Sequence, residues 1–132
     1  MKIVINSCYG GFGLSNDAVM EYAKRKGMKL FSEESNFGTN HYYTVPVEEF
    51  KKIEAQCIKS KNYDKSNKLY FCERDIERND PILVKVVEDM GSEKASGAYA
   101  ELRVVEIPDD VQWEIDEYDG WESVDEVHRS WN

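Results

Sequence analysis

The stretch KIVINSCYGGFGLSND, residues 2–17, contains three elements in succession. Lys2–Asn6 has the apolar run of a short buried strand, Ser7–Gly13 is a glycine-rich loop, and a helix is expected to begin at Ser15. Glycines let the backbone approach a ligand closely, and a helix N-terminus presents unpaired N–H groups at the positive end of its dipole. The order therefore predicts a site for an anion or a nucleotide. Because the spacing matches neither Gly-x-Gly-x-x-Gly nor the P-loop pattern, a structural turn is the alternative.

The length and composition indicate one ordinary water-soluble domain. The chain has 132 residues, of which 41% are hydrophobic and 33% are charged. No apolar run approaches the roughly 18 residues of a membrane span, and residues 1–6 turn polar too soon for a signal peptide. We therefore expect a single domain over residues 1–132, located in the cytoplasm and without a membrane partner.

The cysteines argue against a disulfide framework and against a zinc site. Cys8, Cys57 and Cys72 are odd in number and show no Cys-x-x-Cys spacing, so they are expected to be free thiols, with Cys57 in the core. The chain has two histidines, which leaves few ligands for a catalytic metal. We therefore expect neither a metal nor a cofactor.

The net charge of −9 is concentrated in the C-terminal half of the chain. Residues 1–72 carry a formal charge of +3, whereas residues 73–132 carry −12. Ten carboxylates and no lysine or arginine lie between Glu106 and Glu126. Such a surface repels a phosphate backbone, so direct binding of nucleic acid is not expected. A solvated acidic surface is the simplest explanation of the run, and mimicry of nucleic acid is the alternative.

The pattern of apolar residues and breakers predicts an α+β domain, with a mixed α/β arrangement as the alternative. About four helices are expected on a twisted, largely antiparallel sheet of about five or six strands. The third helix has the clearest signals, because Asp80 can cap it, Pro81 suits its first position and Gly91 ends it. The other helices are predicted over Ser15–Lys26, after Pro46 and from Asp119 onward. The strands are predicted at Lys2–Asn6, Met28–Phe31, His41–Val45, Leu69–Cys72 and in a hairpin of Tyr99–Ile107 with Val111–Asp116.

The C-terminal segment is interpreted as a helix with a capping box. Asp119 would be its N-cap and Glu122 its third residue. Helical spacing would then place Trp121, Val124, His128 and Trp131 on one side. This stripe would dock onto the core, or its exposed part would stack on a nucleobase.

Three motifs together resemble a family of small proteins widespread in phages and prophages. They are CYGGFGLS at residues 8–15, YDG at residues 118–120 and HRSW at residues 128–131. The resemblance implies an anti-defence role in the cytoplasm of the host cell. It also suggests kinship with the anti-Thoeris and anti-CBASS proteins, which sequester nucleotide-derived immune signals.

The residues and the resemblance predict a non-catalytic protein that sequesters a phosphorylated, cyclic nucleotide-type signal. Aromatic side chains would stack on the base and arginines would meet the phosphates, although Arg74, Arg78 and Arg129 could instead form surface ion pairs. The candidate ligand-binding residues are Cys8, Tyr9, Gly10, Gly11, Phe12, Gly13, Ser15, Arg74, Arg78, Trp121, His128 and Arg129.

Two other functions fit the sequence. The acidic segment would suit an inhibitor that mimics nucleic acid and covers the basic channel of a host defence nuclease. Cys8 would be a nucleophile if its thiolate were stabilised at the helix N-terminus and if His41 or His128 acted as base. The chain is also a candidate for homo-oligomerisation. The interface anchors would then be Trp113, Trp121 and Trp131.

Overall fold

The computed structural model describes residues 1–34 and 40–127 and has an α+β fold. In chain order, the strands are β1 (Lys2–Asn6), β2 (Phe31–Glu34), β3 (Asn40–Tyr43), β4 (Tyr70–Phe71), β5 (Leu102–Glu106), β6 (Trp113–Tyr118) and β7 (Trp121–Glu126). The α-helices are α1 (Asn16–Lys26), α2 (Val47–Ser60), α3 (Asp64–Asn67), α4 (Pro81–Met90) and α5 (Ser92–Ala95).

The strands form three small antiparallel sheets in the described ranges, β1-β5, β2-β3-β4 and β6-β7. The predicted α+β class is confirmed, but the strands do not join into one sheet of about five or six. By its contacts the chain divides into two compact units, and each is described by itself. Unit 1 comprises Met1–Tyr22 and Glu73–Asn132, and unit 2 comprises Ala23–Cys72.

The core of unit 1 is built on the first strand. Ile3, Val4 and Ile5 are buried, because β5 pairs along one edge of β1 and helix α4 packs against both strands. The prediction of a buried strand from this apolar run is therefore confirmed. Strand β1 also contacts β7, which brings the β6–β7 hairpin beside the end of β1 and the glycine-rich loop that follows it.

Helix α4 begins and ends where the sequence predicts. The Asp80 carboxylate accepts a hydrogen bond from the Ile82 N–H at 2.8 Å, and Gly91 terminates the helix with a φ of 83°. The hydroxyl of Tyr22 donates to the other Asp80 oxygen at 2.7 Å. Burial raises the pKa of the Tyr22 hydroxyl above its ordinary value, and the hydrogen bond with Asp80 raises it further. Asp80 therefore joins the start of α4 to α1.

Replacing Asp80 by alanine is expected to lower the free energy of unfolding by about 1–2 kcal/mol, because the helix loses its N-cap and Tyr22 loses its acceptor. Asp80→Asn is the matched control, since the amide oxygen still caps the helix, and it should recover most of the loss. Urea denaturation of both variants measures the difference. Equal destabilisation by alanine and asparagine would contradict a capping role.

The predicted C-terminal helix from Asp119 is wrong, because residues 113–126 form a hairpin of β6 and β7. Asp119 and Gly120 have φ values of 51° and 89°, which is the left-handed backbone that a two-residue hairpin turn requires. Burial in β7 alternates with a period of two, so Trp121 is exposed and Glu122 is buried. Trp121 and Val124 therefore share no helical stripe, and His128 and Trp131 lie outside the described residues.

The predicted pairing of β5 with β6 is also wrong. Strand β5 pairs with β1 in the register Lys2↔Glu106 to Asn6↔Leu102, and β6 pairs with β7. Residues 107–112 separate β5 from β6, a longer connection than tight hairpins use. The Asp119-Gly120 turn offers the better local geometry, so β6 pairs with the strand that follows it.

Unit 2 combines the sheet β2-β3-β4 with helix α2 and the short helix α3. Helix α2 follows Pro46 as predicted, and Phe50 and Cys57 are its buried residues. The Phe50 ring stacks on Tyr43 with 4.2 Å between the centroids. Two details differ from prediction. Strand β2 begins at Phe31, the last residue of the predicted strand Met28–Phe31, and runs to Glu34 where a loop was expected, and α3 was not foreseen. No helix in the described ranges has the length and apolar character needed to cross a bilayer.

Candidate functional site

Asn6, the last residue of β1, holds the glycine-rich loop against the β6–β7 turn. Its side chain is fully buried. The amide nitrogen donates to the carbonyl oxygens of Cys8 and Gly120, both at 2.8 Å. The amide oxygen accepts from the Glu101 N–H at 2.8 Å. All the polar atoms of this buried amide are thus paired, and they fix three chain segments around one point.

Two glycines allow the backbones of these segments to touch. A β-carbon at Gly120 would lie 2.8 Å from the Tyr9 carbonyl oxygen and 2.9 Å from the Gly11 nitrogen. A β-carbon at Gly10 would lie 1.7 Å from the Tyr99 carbonyl oxygen. Gly10 of the loop and Gly120 of the turn therefore serve close packing of backbone on backbone, whereas nothing lies within 4 Å of a β-carbon built at Gly11 or Gly13.

Arg78 and Glu122 form a largely buried ion pair beside the loop. Nη1 of Arg78 donates to Oε1 of Glu122 at 2.6 Å, and Nη2 donates to Oε2 at 2.9 Å. The side chains are only 17% and 7% exposed. The guanidinium also stacks on the Phe12 ring, with 3.5 Å between its central carbon and the ring centroid. Glu122 Oε1 accepts a further bond from the Asn6 N–H at 2.8 Å. The charge of Arg78 is therefore neutralised within the wall of the site.

A cavity of about 400 Å³ opens between the loop and the hairpin turn. It is lined by Tyr9, Gly10, Gly11, Phe12, Arg74, Arg78, Glu117, Asp119, Gly120 and Glu122. The structure thus brings together six of the residues proposed from sequence, namely Tyr9, Gly10, Gly11, Phe12, Arg74 and Arg78.

The free charges of this cavity are mixed in sign. Arg74 is exposed, in a 3₁₀ turn at Glu73–Asp75, and makes no ion pair with a residue in the described ranges. The carboxylates of Glu117 and Asp119 are exposed and line the same cavity. Since Arg78 and Glu122 neutralise each other, Arg74 is the available positive charge on the described cavity wall.

The remaining candidates occupy other places. Gly13 and Ser15 do not line the cavity. Ser15 Oγ caps α1 by accepting from the Ala18 N–H at 3.1 Å, and the Gly13 carbonyl oxygen accepts from the Gly97 N–H at 2.9 Å. The first residues of α1 therefore do not line this cavity, although the sequence predicted that the loop and the helix N-terminus would form one site. Trp121 lies behind Tyr9, with 5.0 Å between the ring centroids. His128 and Arg129 lie outside the described residues.

The thiol of Cys8 is half-buried and belongs to the loop's internal hydrogen bonding. Its sulfur lies 3.3 Å from Asn6 Oδ1 and 3.4 Å from the Tyr99 carbonyl oxygen. Unit 1 has no imidazole in its described part, since His41 belongs to unit 2 and His128 is not described. Within the described residues, no three histidine, cysteine or acidic side chains are grouped to hold a metal ion. What the described geometry offers is a binding cavity.

Sequence reasoning missed four residues that build this site: Asn6, Glu117, Asp119 and Glu122. The signal for three of them was the Asp119-Gly120 pair, which favours a tight hairpin between alternating strands. That turn places Glu117 opposite Glu122 in the register. The signal for Asn6 was its position at the end of an apolar strand. An amide buried there must find hydrogen-bond partners.

Comparisons with protein-family models, with characterised proteins and with solved structures found no match. The resemblance to phage proteins accordingly stays a prediction from the sequence motifs.

Proposed function

We propose that unit 1 binds a small phosphorylated, nucleotide-derived ligand without catalysis in the cavity beside the glycine-rich loop. The observation that carries the proposal is the guanidinium of Arg74, which pairs with no carboxylate among residues 1–34 and 40–127, on the wall of a cavity of about 400 Å³. That volume falls within the range of small-molecule sites. A guanidinium recognises phosphate oxygens through paired, charge-assisted hydrogen bonds.

The charges around Arg74 favour a ligand whose phosphate is a phosphodiester. A diester phosphate has one negative charge, which one free guanidinium can balance. A triphosphate would place additional negative charge near Glu117 and Asp119. These two carboxylates would accept hydrogen bonds from the hydroxyl groups of a sugar or from the amino group of a base. A cyclic nucleotide-type signal combines all of these groups.

Tyr9 provides the stacking surface for the base. Its side chain is 64% exposed and lines the cavity, whereas Phe12 is buried and one face of its ring is covered by Arg78. Aromatic side chains stack on nucleobases with little dependence on base identity. Binding of this kind needs no catalytic group. The protein would act by sequestering the signal, as the resemblance to phage proteins implies.

Arg74→Gln is expected to weaken binding of a cyclic mononucleotide, whose one phosphodiester carries one negative charge, at least about tenfold, because a charge-assisted contact to phosphate is lost. Arg103→Gln is the matched control, since it removes the same charge from an exposed position on β5 outside the cavity. Isothermal titration with a cyclic dinucleotide, a cyclic mononucleotide and a nucleoside triphosphate measures the affinities. Mass spectrometry after denaturation should recover the ligand unchanged.

Two outcomes would overturn this function. One is equal weakening by Arg74→Gln and Arg103→Gln, which would show a general effect of net charge. The other is the absence of binding to any of the three nucleotide classes. Conversion of the bound nucleotide with turnover would replace sequestration by an enzymatic function.

A further inference from the structure

The outward face of the β6–β7 hairpin combines aromatic rings with carboxylates. The register places Tyr118 opposite Trp121, Asp116 opposite Ser123 and Glu114 opposite Asp125, and directly opposite residues share one face of a hairpin. All six side chains are exposed. Within the described ranges, none of the three carboxylates forms an ion pair.

A second cavity of about 270 Å³ lies at the aromatic end of this face. It is lined by Tyr9, Asp116, Tyr118, Trp121 and Ser123. The ring centroids of Tyr9 and Trp121 lie 5.0 Å apart, with an angle of 59° between the ring planes. The side chain of Tyr118 is 78% exposed. Three aromatic rings and a carboxylate around one cavity are the arrangement that attracts an organic cation, through the negative ring faces and the carboxylate charge.

We propose that this cavity receives the guanidinium of an arginine from a basic segment of a protein partner. A planar guanidinium can stack on an aromatic ring and form paired hydrogen bonds with Asp116, which an ammonium group cannot do. The same chemistry already occurs inside unit 1, where Arg78 stacks on Phe12 and pairs with Glu122.

The rest of the face supports a segment of chain as the occupant. Beyond Asp116, the carboxylates of Glu114 and Asp125 continue along the hairpin, and they would attract further basic side chains of the same segment. Exposed tyrosine and tryptophan side chains are enriched at the energetic centres of protein interfaces. The cation site is distinct from the nucleotide cavity, although Tyr9 contributes to both walls.

Binding of fluorescently labelled hexa-arginine and hexa-lysine peptides to the full chain tests the proposal by fluorescence anisotropy. We expect the arginine peptide to bind about fivefold or more tightly than the lysine peptide, since lysine gains less from the rings and from Asp116. Tyr118→Leu and Asp116→Asn should each remove most of this preference. Their matched controls, Tyr99→Leu and Asp110→Asn, change exposed residues that do not line the cavity and should retain it.

Equal binding of the two peptides would overturn the proposal, because net acidity alone would then explain it. So would an equal effect of Asp116→Asn and Asp110→Asn, or no binding of either peptide. Arg74→Gln separates this proposal from nucleotide binding, since it should leave the peptide preference intact. Loss of that preference in Arg74→Gln would also count against a distinct cation site.

Discussion

Arg78→Ala is expected to lower the free energy of unfolding of unit 1 by about 3–5 kcal/mol, one of the two largest losses we anticipate. The substitution would leave the Glu122 carboxylate, which is 7% exposed, without its cationic partner. Removing one member of a buried ion pair is costly because the other charge stays desolvated. Phe12 would also lose the guanidinium that stacks on it at 3.5 Å.

Chemical denaturation of Arg78→Ala measures this loss, with Lys85→Ala as the matched control. Lys85 and Asp89 form an exposed pair at 4.0 Å on α4, so its removal should change stability by less than about 0.5 kcal/mol. Arg78→Lys should recover only part of the stability, because an ammonium keeps the charge but not the paired hydrogen bonds. If Arg78→Ala were as mild as Lys85→Ala, the pair would not be a structural element of the site.

This prediction changes the role that the sequence suggested for Arg78. The sequence predicted Arg78 as a phosphate ligand, with a surface ion pair as the alternative. The structure shows a pair with Glu122, which is 44 residues away in the sequence. A local search for partners could not find it, because the contact exists only once β7 lies beside β1.

The elements with strong local signals were predictable. Helix α4 has an N-cap, a proline in its first turn and a terminating glycine, so its limits follow from short-range chemistry alone. Strand β1 is an uninterrupted apolar run, which predicts burial on both sides. In both cases the local preference and the tertiary packing agree.

The tail shows where two local signals compete. Asp119 with Glu122 fits a capping box, whereas Asp119 with Gly120 fits a two-residue hairpin turn. The hairpin prevails because β6 already alternates in polarity and the return strand can continue that alternation. The choice decides the site as well, since only the strand places Glu122 inward and Trp121 outward.

The glycine-rich loop lines a cavity, but Gly10 packs against the backbone of Tyr99, a use that the sequence did not predict. The prediction relied on backbone N–H groups and a helix N-terminus that would hold an anion. In the structure, the loop packs on the β6–β7 turn and α1 is capped by Ser15. The case for a phosphorylated ligand therefore depends on Arg74 and on the ring of Tyr9.

Asn6→Asp is the second substitution with a large expected effect, a loss of about 3 kcal/mol or more in the free energy of unfolding near neutral pH. The change is nearly isosteric, but it replaces the nitrogen that donates to the carbonyl oxygens of Cys8 and Gly120. A buried carboxylate would face two acceptors, and Glu122 adds a negative charge at the neighbouring backbone N–H. Both interactions disfavour the charged form.

The pH dependence of this loss distinguishes charge burial from general damage. The new carboxyl group should have a folded-state pKa above its unfolded-state value, because burial and the adjacent acceptors favour its neutral form. The destabilisation should therefore be smallest in acid, where the protonated group can donate one hydrogen bond, and should grow as the pH rises. Asn67→Asp, an equal charge change at an exposed position, should show little effect at either pH. Urea denaturation at about pH 4.5 and pH 8 gives the comparison. A loss independent of pH would show that the destabilisation does not come from burying the new charge beside the two carbonyl oxygens.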